Sequence, residues 1–143
     1  MKTLVTGCSG LIGNALIEHL FQKGHSIQCL KRNKGSEHTH FWATEELPTN
    51  TDNVFDAVVQ LAGENVAEGR WTAARIEKIL TSRIEGTRQL IDYIAMLANK
   101  PKIFLCASAI GFYGHSIDQI FNEDSPLGQG FLVDVCHQWE KQT

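Results

Sequence analysis

Three glycines spaced three apart, Gly7, Gly10 and Gly13 in TGCSGLIG, stand near the start of the chain, just ahead of an amphipathic run. Such a turn can hold a pyrophosphate. The first glycine permits a tight turn off a strand, the second lets backbone approach the ligand, and the third lets the following helix pack closely. The free N–H groups and positive dipole end of that helix then face the phosphates. The spacing is G-x-x-G-x-x-G rather than G-x-G-x-x-G, so the loop by itself is a weak signal, and a plain strand-to-helix turn is the competing reading. Context favours a dinucleotide, because the loop follows an expected strand and opens an expected helix. Ser9, Leu11 and Ile12 complete the same cofactor turn.

The end of the second strand indicates which dinucleotide. An acidic residue there serves the ribose 2′-hydroxyl of NAD, whereas an arginine accommodates a 2′-phosphate. No Asp or Glu occurs between Glu18 and Glu37, and the strand ends Lys31-Arg32-Asn33. The expected cofactor is therefore NADP(H). Arg32 would stack on the adenine or pair with the phosphate, assisted by Lys31 or Ser9; a solvated basic turn is the alternative.

These residues need elements to position them. Residues 2–6 read as a short buried strand, and Leu11, Ile12, Ala15, Leu16, His19 and Leu20 recur at helical spacing before Lys23-Gly24 stops the helix. HSIQCLKR (25–32) is a second strand, Phe41-Trp42 a short third, and FDAVVQLAG (55–63) a fourth, apolar enough to be buried on both faces. From about Thr72 a long helix carries Ile76, Ile79, Leu80, Thr87, Leu90, Ile91, Ile94 and Leu97 on one stripe, ended by Asn99 and Pro101. KIFLCASAIGFYG (102–114) is the fifth strand with its exit loop, and Phe131 to Lys141 begins another helix. Alternating strands and helices imply an α/β fold with a parallel sheet.

Composition narrows the partners. The 143 residues, 43% hydrophobic and 20% charged, fit one globular domain, 1–143, with no repeat or second domain. A formal net charge of −3 argues against nucleic acid and anionic membranes, leaving a small-molecule substrate. Cys8, Cys29, Cys106 and Cys136 lack C-x-x-C spacing and read as reduced, packed thiols of a cytoplasmic protein. No signal peptide and no membrane span is expected. His38 and His40 have no third ligand at a credible spacing, so no metal is expected and both are assigned to the surface.

With the glycine loop joined to LAG (61–63), RIEGT (83–87) and SAIGFYG (108–114), the chain resembles the short-chain dehydrogenase/reductase superfamily. It is most similar to the extended, nucleotide-sugar-epimerase-like branch, and within it to proteins called epimerase family, through LAGENVAEGRW, SRIEGT and VCHQWE. The resemblance implies a Rossmann-type, doubly wound sheet, truncated after about five strands in the order 3-2-1-4-5. It also implies that Leu61, Ala62 and Gly63 line the adenine-ribose side of NADP(H), and that Ser108 is the catalytic serine that orients a substrate oxygen.

The departures matter as much. Tyr-x-x-x-Lys, the superfamily's acid/base motif, is absent: Tyr93 and Tyr113 are followed four residues later by Leu97 and Ile117. The corresponding step is Cys136 to Glu140, where a carboxylate disfavours a thiolate. Tyr113 is the substitute acid/base candidate, or else an aromatic wall of the pocket. Arg83 stands where extended members have Asn and could bind a substrate carboxylate or phosphate. The resemblance further implies relatives about twice as long, so the fifth strand, with Ile103, Phe104 and Leu105, is expected as an exposed edge open to homo-oligomers. Two functions fit: an NADP(H)-dependent oxidoreductase or epimerase-like enzyme of unknown substrate, and a dinucleotide-binding module without turnover.

Overall fold

The computed structural model describes residues 1–32, 42 and 55–143. Along the chain run β1 (Lys2–Thr6), α1 (Leu11–Gln22), β2 (Ser26–Leu30), β3 (Ala57–Gln60), α2 (Ala73–Met96), β4 (Ile103–Cys106), a 3-10 turn (Ile110–Tyr113) and α3 (Phe131–Glu140). The strands pair in parallel in the order β2-β1-β3-β4. This is an α/β sheet of Rossmann type. The expected fourth and fifth strands are β3 and β4, so among the described residues the sheet gives the 2-1-4-5 part of the order 3-2-1-4-5. Of the expected third strand, Phe41 lies outside the described residues, as do Asn33, His38 and His40. Trp42 makes an isolated antiparallel bridge with Arg32, just past β2.

Burial explains the order. β1 and β3 lie inside the sheet and are the most buried strands, with Leu4, Val5 and Val58 fully buried. Leu4, Leu30, Trp42, Phe55, Val58, Leu90, Tyr93 and Leu97 form one core between the sheet and α2. Thr72 caps α2, its hydroxyl accepting the Arg75 N–H at 3.3 Å. The helix ends at Met96, earlier than Asn99 and Pro101 suggest, and Leu97 at its end still packs into the core.

Two expectations are corrected. Leu11 and Ile12, read as part of the core stripe of α1, are 91% and 68% exposed. They form the first helical turn at the carboxyl edge of the sheet, where little strand remains for them to cover; Leu16 and Leu20, further along, are half-buried. Nor are all four cysteines free. Cys8 and Cys29 form a disulfide with Cα atoms 6.1 Å apart, because the loop after β1 folds back beside β2, where Cys29 pairs with Val5. Cys106 and Cys136 are free, the first half-buried and the second buried. Among the described residues, no helix is long and apolar enough to cross a membrane, and no cluster of His, Cys, Asp or Glu is arranged to hold a metal.

Candidate functional site

The carboxyl ends of the strands gather the residues singled out above. At the end of β1, Gly7 turns with φ 72°, and a Cβ there would lie 2.8 Å from the Ala62 nitrogen. A Cβ on Gly13 would lie 2.2 Å from the Gly7 carbonyl oxygen, so this glycine lets α1 pack on the loop. Gly10 differs, since its Cβ would meet only Gly7 O, at 3.3 Å, leaving open space beyond. Gly10 is also the N-cap of α1, with no side-chain cap and no acidic residue in the first turn. An uncapped, exposed helix start behind a glycine cradle fits a pyrophosphate. Ser9, Lys31 and Arg32 are exposed beside it.

Opposite the cradle, the loop after β3 is fastened by polar bonds. The N–H groups of Leu61 and Ala62 both donate to Thr6 Oγ1, at 3.2 Å each. The Thr6 hydroxyl donates to Gln60 Oε1, Gln60 Nε2 donates to Thr87 Oγ1 at 3.0 Å, and Trp139 Nε1 donates to the same oxygen at 2.9 Å. One buried chain of side chains thus ties β1, β3, α2 and α3 together. Further along the loop, Glu64 N donates to Ser82 Oγ at 2.9 Å. The Glu64 carboxylate lies between two arginines, Arg32 at 3.4 Å and Arg75 at 3.1 Å, and Arg75 also donates to the Asn65 carbonyl. Among the described residues, Arg75 Nε is the one buried side-chain nitrogen or oxygen without a hydrogen-bond partner.

Arg83 takes part in the same fastening. Its Nη1 donates to the carbonyls of Glu64 at 2.9 Å and Ile79 at 3.3 Å, and its guanidinium lies 5.3 Å over the Trp139 ring. A Cβ on Gly63 would come within 3.0 Å of it, so the glycine makes room for this cation. Burial lowers the Arg83 pKa, partly offset by Cys136 and Glu64. Sequence reasoning reached Arg83 but not its hold on the loop, and it missed Thr6, Gln60, Glu64 and Arg75. A signal was present for Gln60, a lone amide in the otherwise apolar AVVQLAG.

On the other side of β3, Ala107 N donates to Gln60 O at 2.9 Å and carries the chain past β4 to the exposed Ser108. The Ser108 hydroxyl donates to the Glu140 carboxylate at the end of α3. Cys136, one turn earlier and buried, has its thiol pushed up by burial and by the Glu140 charge, with Arg83 partly offsetting. Burial likewise pushes the Cys106 thiol up to about 11. Both thiols therefore stay protonated near neutral pH, and neither is a ready base. Tyr113 stacks on Phe121 with ring centroids 5.9 Å apart and lines a cleft of about 410 Å³ with Gly114, His115 and Gln129. Chemically, the Ser108–Glu140 pair can direct a hydroxyl toward a polar atom and accept a proton through it.

The chain is similar to known proteins in sequence and fold. Epimerase family protein YfhF of Bacillus subtilis is 34% identical over 149 residues, spanning 99% of this chain and 49% of YfhF. Epimerase family protein SDR39U1 of Bos taurus is 33% identical over 143 residues, spanning 98% of this chain and 48% of the bovine protein. The crystal structure of human SDR39U1 (isoform 2) with NADPH superposes with a TM-score of 0.84 at 31% identity, over 99% of this chain and 48% of the human one. A nucleoside-diphosphate sugar epimerase from Corynebacterium glutamicum gives 0.73 at 32% identity, over 99% of this chain and 30% of that one. The chain spans about half the length of YfhF and bovine SDR39U1. Residues 3–130 match one family model, and by that match the chain belongs to the NAD dependent epimerase/dehydratase family.

Proposed function

We propose that residues 1–143 form an NADP(H)-binding domain of the epimerase-like, short-chain dehydrogenase/reductase kind, serving an oxidoreductase or epimerase-like reaction on a small-molecule alcohol or carbonyl. The observation that carries this reading is the uncapped start of α1 behind Gly7, Gly10 and Gly13, with Arg32 exposed at the same edge. The NADPH in the human SDR39U1 crystal supports it. Backbone of Ser9, Leu11 and Ile12 would meet the pyrophosphate, Arg32 and Lys31 the 2′-phosphate, and Leu61, Ala62 and Gly63 the ribose side. When bound, the nicotinamide supplies the hydride. Ser108, its hydroxyl held by Glu140, would orient the substrate carbonyl oxygen, which gains a proton as its carbon gains the hydride; Tyr113 would donate that proton or line the pocket. Arg83, which already gives two bonds to carbonyls, would meet a substrate anion with its remaining N–H groups.

A dinucleotide-binding module without turnover is the second reading. It is favoured by Cys136 and Glu140, which stand at the step of the missing Tyr-x-x-x-Lys with a thiol that stays protonated. Both readings include a cytoplasmic location, where the Cys8–Cys29 pair would meet a reducing milieu, and self-association through β4.

Thermal unfolding with matched NADPH and NADH tests the shared part. Ligand at about 100 times its dissociation constant adds roughly 2.7 kcal/mol, a midpoint rise on the order of 5 to 10 °C for a domain of this size. The expected result is that rise with NADPH and much less with NADH. A folded protein moved by neither would overturn the cofactor reading. Oxidation of bound NADPH by members of a carbonyl panel then selects the enzyme over the silent module.

A further inference from the structure

In the sheet order β2-β1-β3, the residues just past β2 and just past β3 flank the end of β1, where the glycine loop begins. Arg32 and Glu64 occupy those two places and touch each other at 3.4 Å, so their side chains reach across the mouth of the loop. The contacts on the two carboxylate oxygens of Glu64 are unequal. Oε1 meets Arg75 at 3.1 Å, and both side chains are mostly shielded from water. Oε2 meets Arg32 at the longer distance, and the Arg32 side chain is 59% exposed. Glu64 is further held through its backbone by Ser82 and Arg83. The carboxylate is thus a fixed group, and Arg32 is the partner free to leave it.

We propose that Glu64 is a specificity-determining residue for the adenosine end of the dinucleotide. This rests on the cofactor reading above and adds to it. A carboxylate at such an edge accepts a hydrogen bond from a ribose 2′-hydroxyl and repels a 2′-phosphate, a role given in many dinucleotide sites to an acid at the end of the second strand. Here that strand ends in Lys31 and Arg32, and the carboxylate comes instead from the loop after β3. Glu64 opposes NADPH twice, by competing for Arg32 and by its own charge, and it gives NADH a partner. Arg75 acts through Glu64 as a positioning residue that keeps the carboxylate in place when Arg32 turns away.

Dissociation constants for NADPH and NADH, measured by fluorescence titration, test this on the whole chain with no substrate needed. Glu64→Gln should tighten NADPH and weaken NADH, moving their ratio by about tenfold, the scale of one charge-assisted hydrogen bond gained and one lost. In an Arg32→Gln background the part of the NADPH gain that comes from freeing Arg32 should vanish, leaving a smaller shift. Should Glu64→Gln fail to fold, Glu64→Asp carries the same test, since the shorter side chain keeps the charge but loses its reach to Arg32 and should move the ratio the same way. An unmoved ratio in a folded variant overturns the role of Glu64 while leaving the cofactor reading intact. Wild-type protein that binds neither nucleotide overturns both.

Discussion

Around the ends of β1 and β3, the turns are fastened to other elements: Gly7 against Ala62, Gly13 against Gly7, and Leu61 to Asn65 by Thr6, Ser82, Arg83 and Arg75. Beyond β4 the construction changes. Ile103 and Leu105 are exposed on the sheet face shared with Ala57 and Val59, and Ile117 and Ile120 in the following segment are 91% and 98% exposed. The first region pairs most of its buried polar side-chain groups, Arg75 Nε excepted, and fills its close contacts within the chain. Among the described residues the second pairs β4 with β3 alone and leaves apolar side chains exposed, features that mark interaction surfaces or aggregation liabilities. The difference separates a cradle whose shape is fixed internally from a more exposed surface adjoining Ser108 and the Tyr113 cleft.

The most severe break in the fastened region is Gly13→Ala. Its Cβ would meet a backbone oxygen at 2.2 Å, which only backbone movement can relieve, so a loss of about 4 kcal/mol is expected in urea unfolding. Next is Thr87→Val, which strips the acceptor from Gln60 Nε2 and Trp139 Nε1 and should cost about 3 kcal/mol, two buried donors being left unpaired. At the boundary between the regions, Cys106 has a raised pKa in the folded state, so the stability tied to its protonated form is whole below the ordinary thiol range and fades as pH climbs through about 11. Iodoacetamide labelling of Cys106 at pH 8 should run roughly a hundredfold slower than for an unshifted thiol. An ordinary labelling rate would show Cys106 belonging to the open region instead. Smallest for stability is Leu105→Lys, within about 0.5 kcal/mol of wild type because the side chain is exposed. Sedimentation velocity should nevertheless show this variant less self-associated, and unchanged association would remove β4 as the contact.

The contrast also explains what could be read in advance. β1, α1, β2, β3, α2, β4 and α3 follow from periodicity and from the glycines, which are local signals. So is the glycine cradle, whose residues are neighbours in sequence. Periodicity says nothing about which side chains meet across elements. The Cys8–Cys29 disulfide, the pairing of Arg32 with Glu64 and the bond from Ser108 to Glu140 arise when the fold brings segments distant in sequence together. The same is true of Trp42, whose Nε1 donates to the Gly86 carbonyl of α2 at 2.7 Å. Leu11 and Ile12 fit a helical stripe, but the stripe alone does not reveal where the sheet beneath it ends.

The buried chain from Thr6 through Gln60 and Thr87 to Trp139 also bears on the order in which contacts assemble as the chain is made. Its first member lies in β1 and its last in α3, so during synthesis the glycine loop can close on Ala62 before the chain of bonds is complete. Trp139 arrives with Glu140 beside it, so the partner of Ser108 is added only with α3. A nascent chain can already carry the cradle while its Ser108–Glu140 pair does not yet exist. Contacts that join such remote segments are slow to form, and α3 should be the last element to gain protection in pulse-labelled hydrogen exchange during refolding.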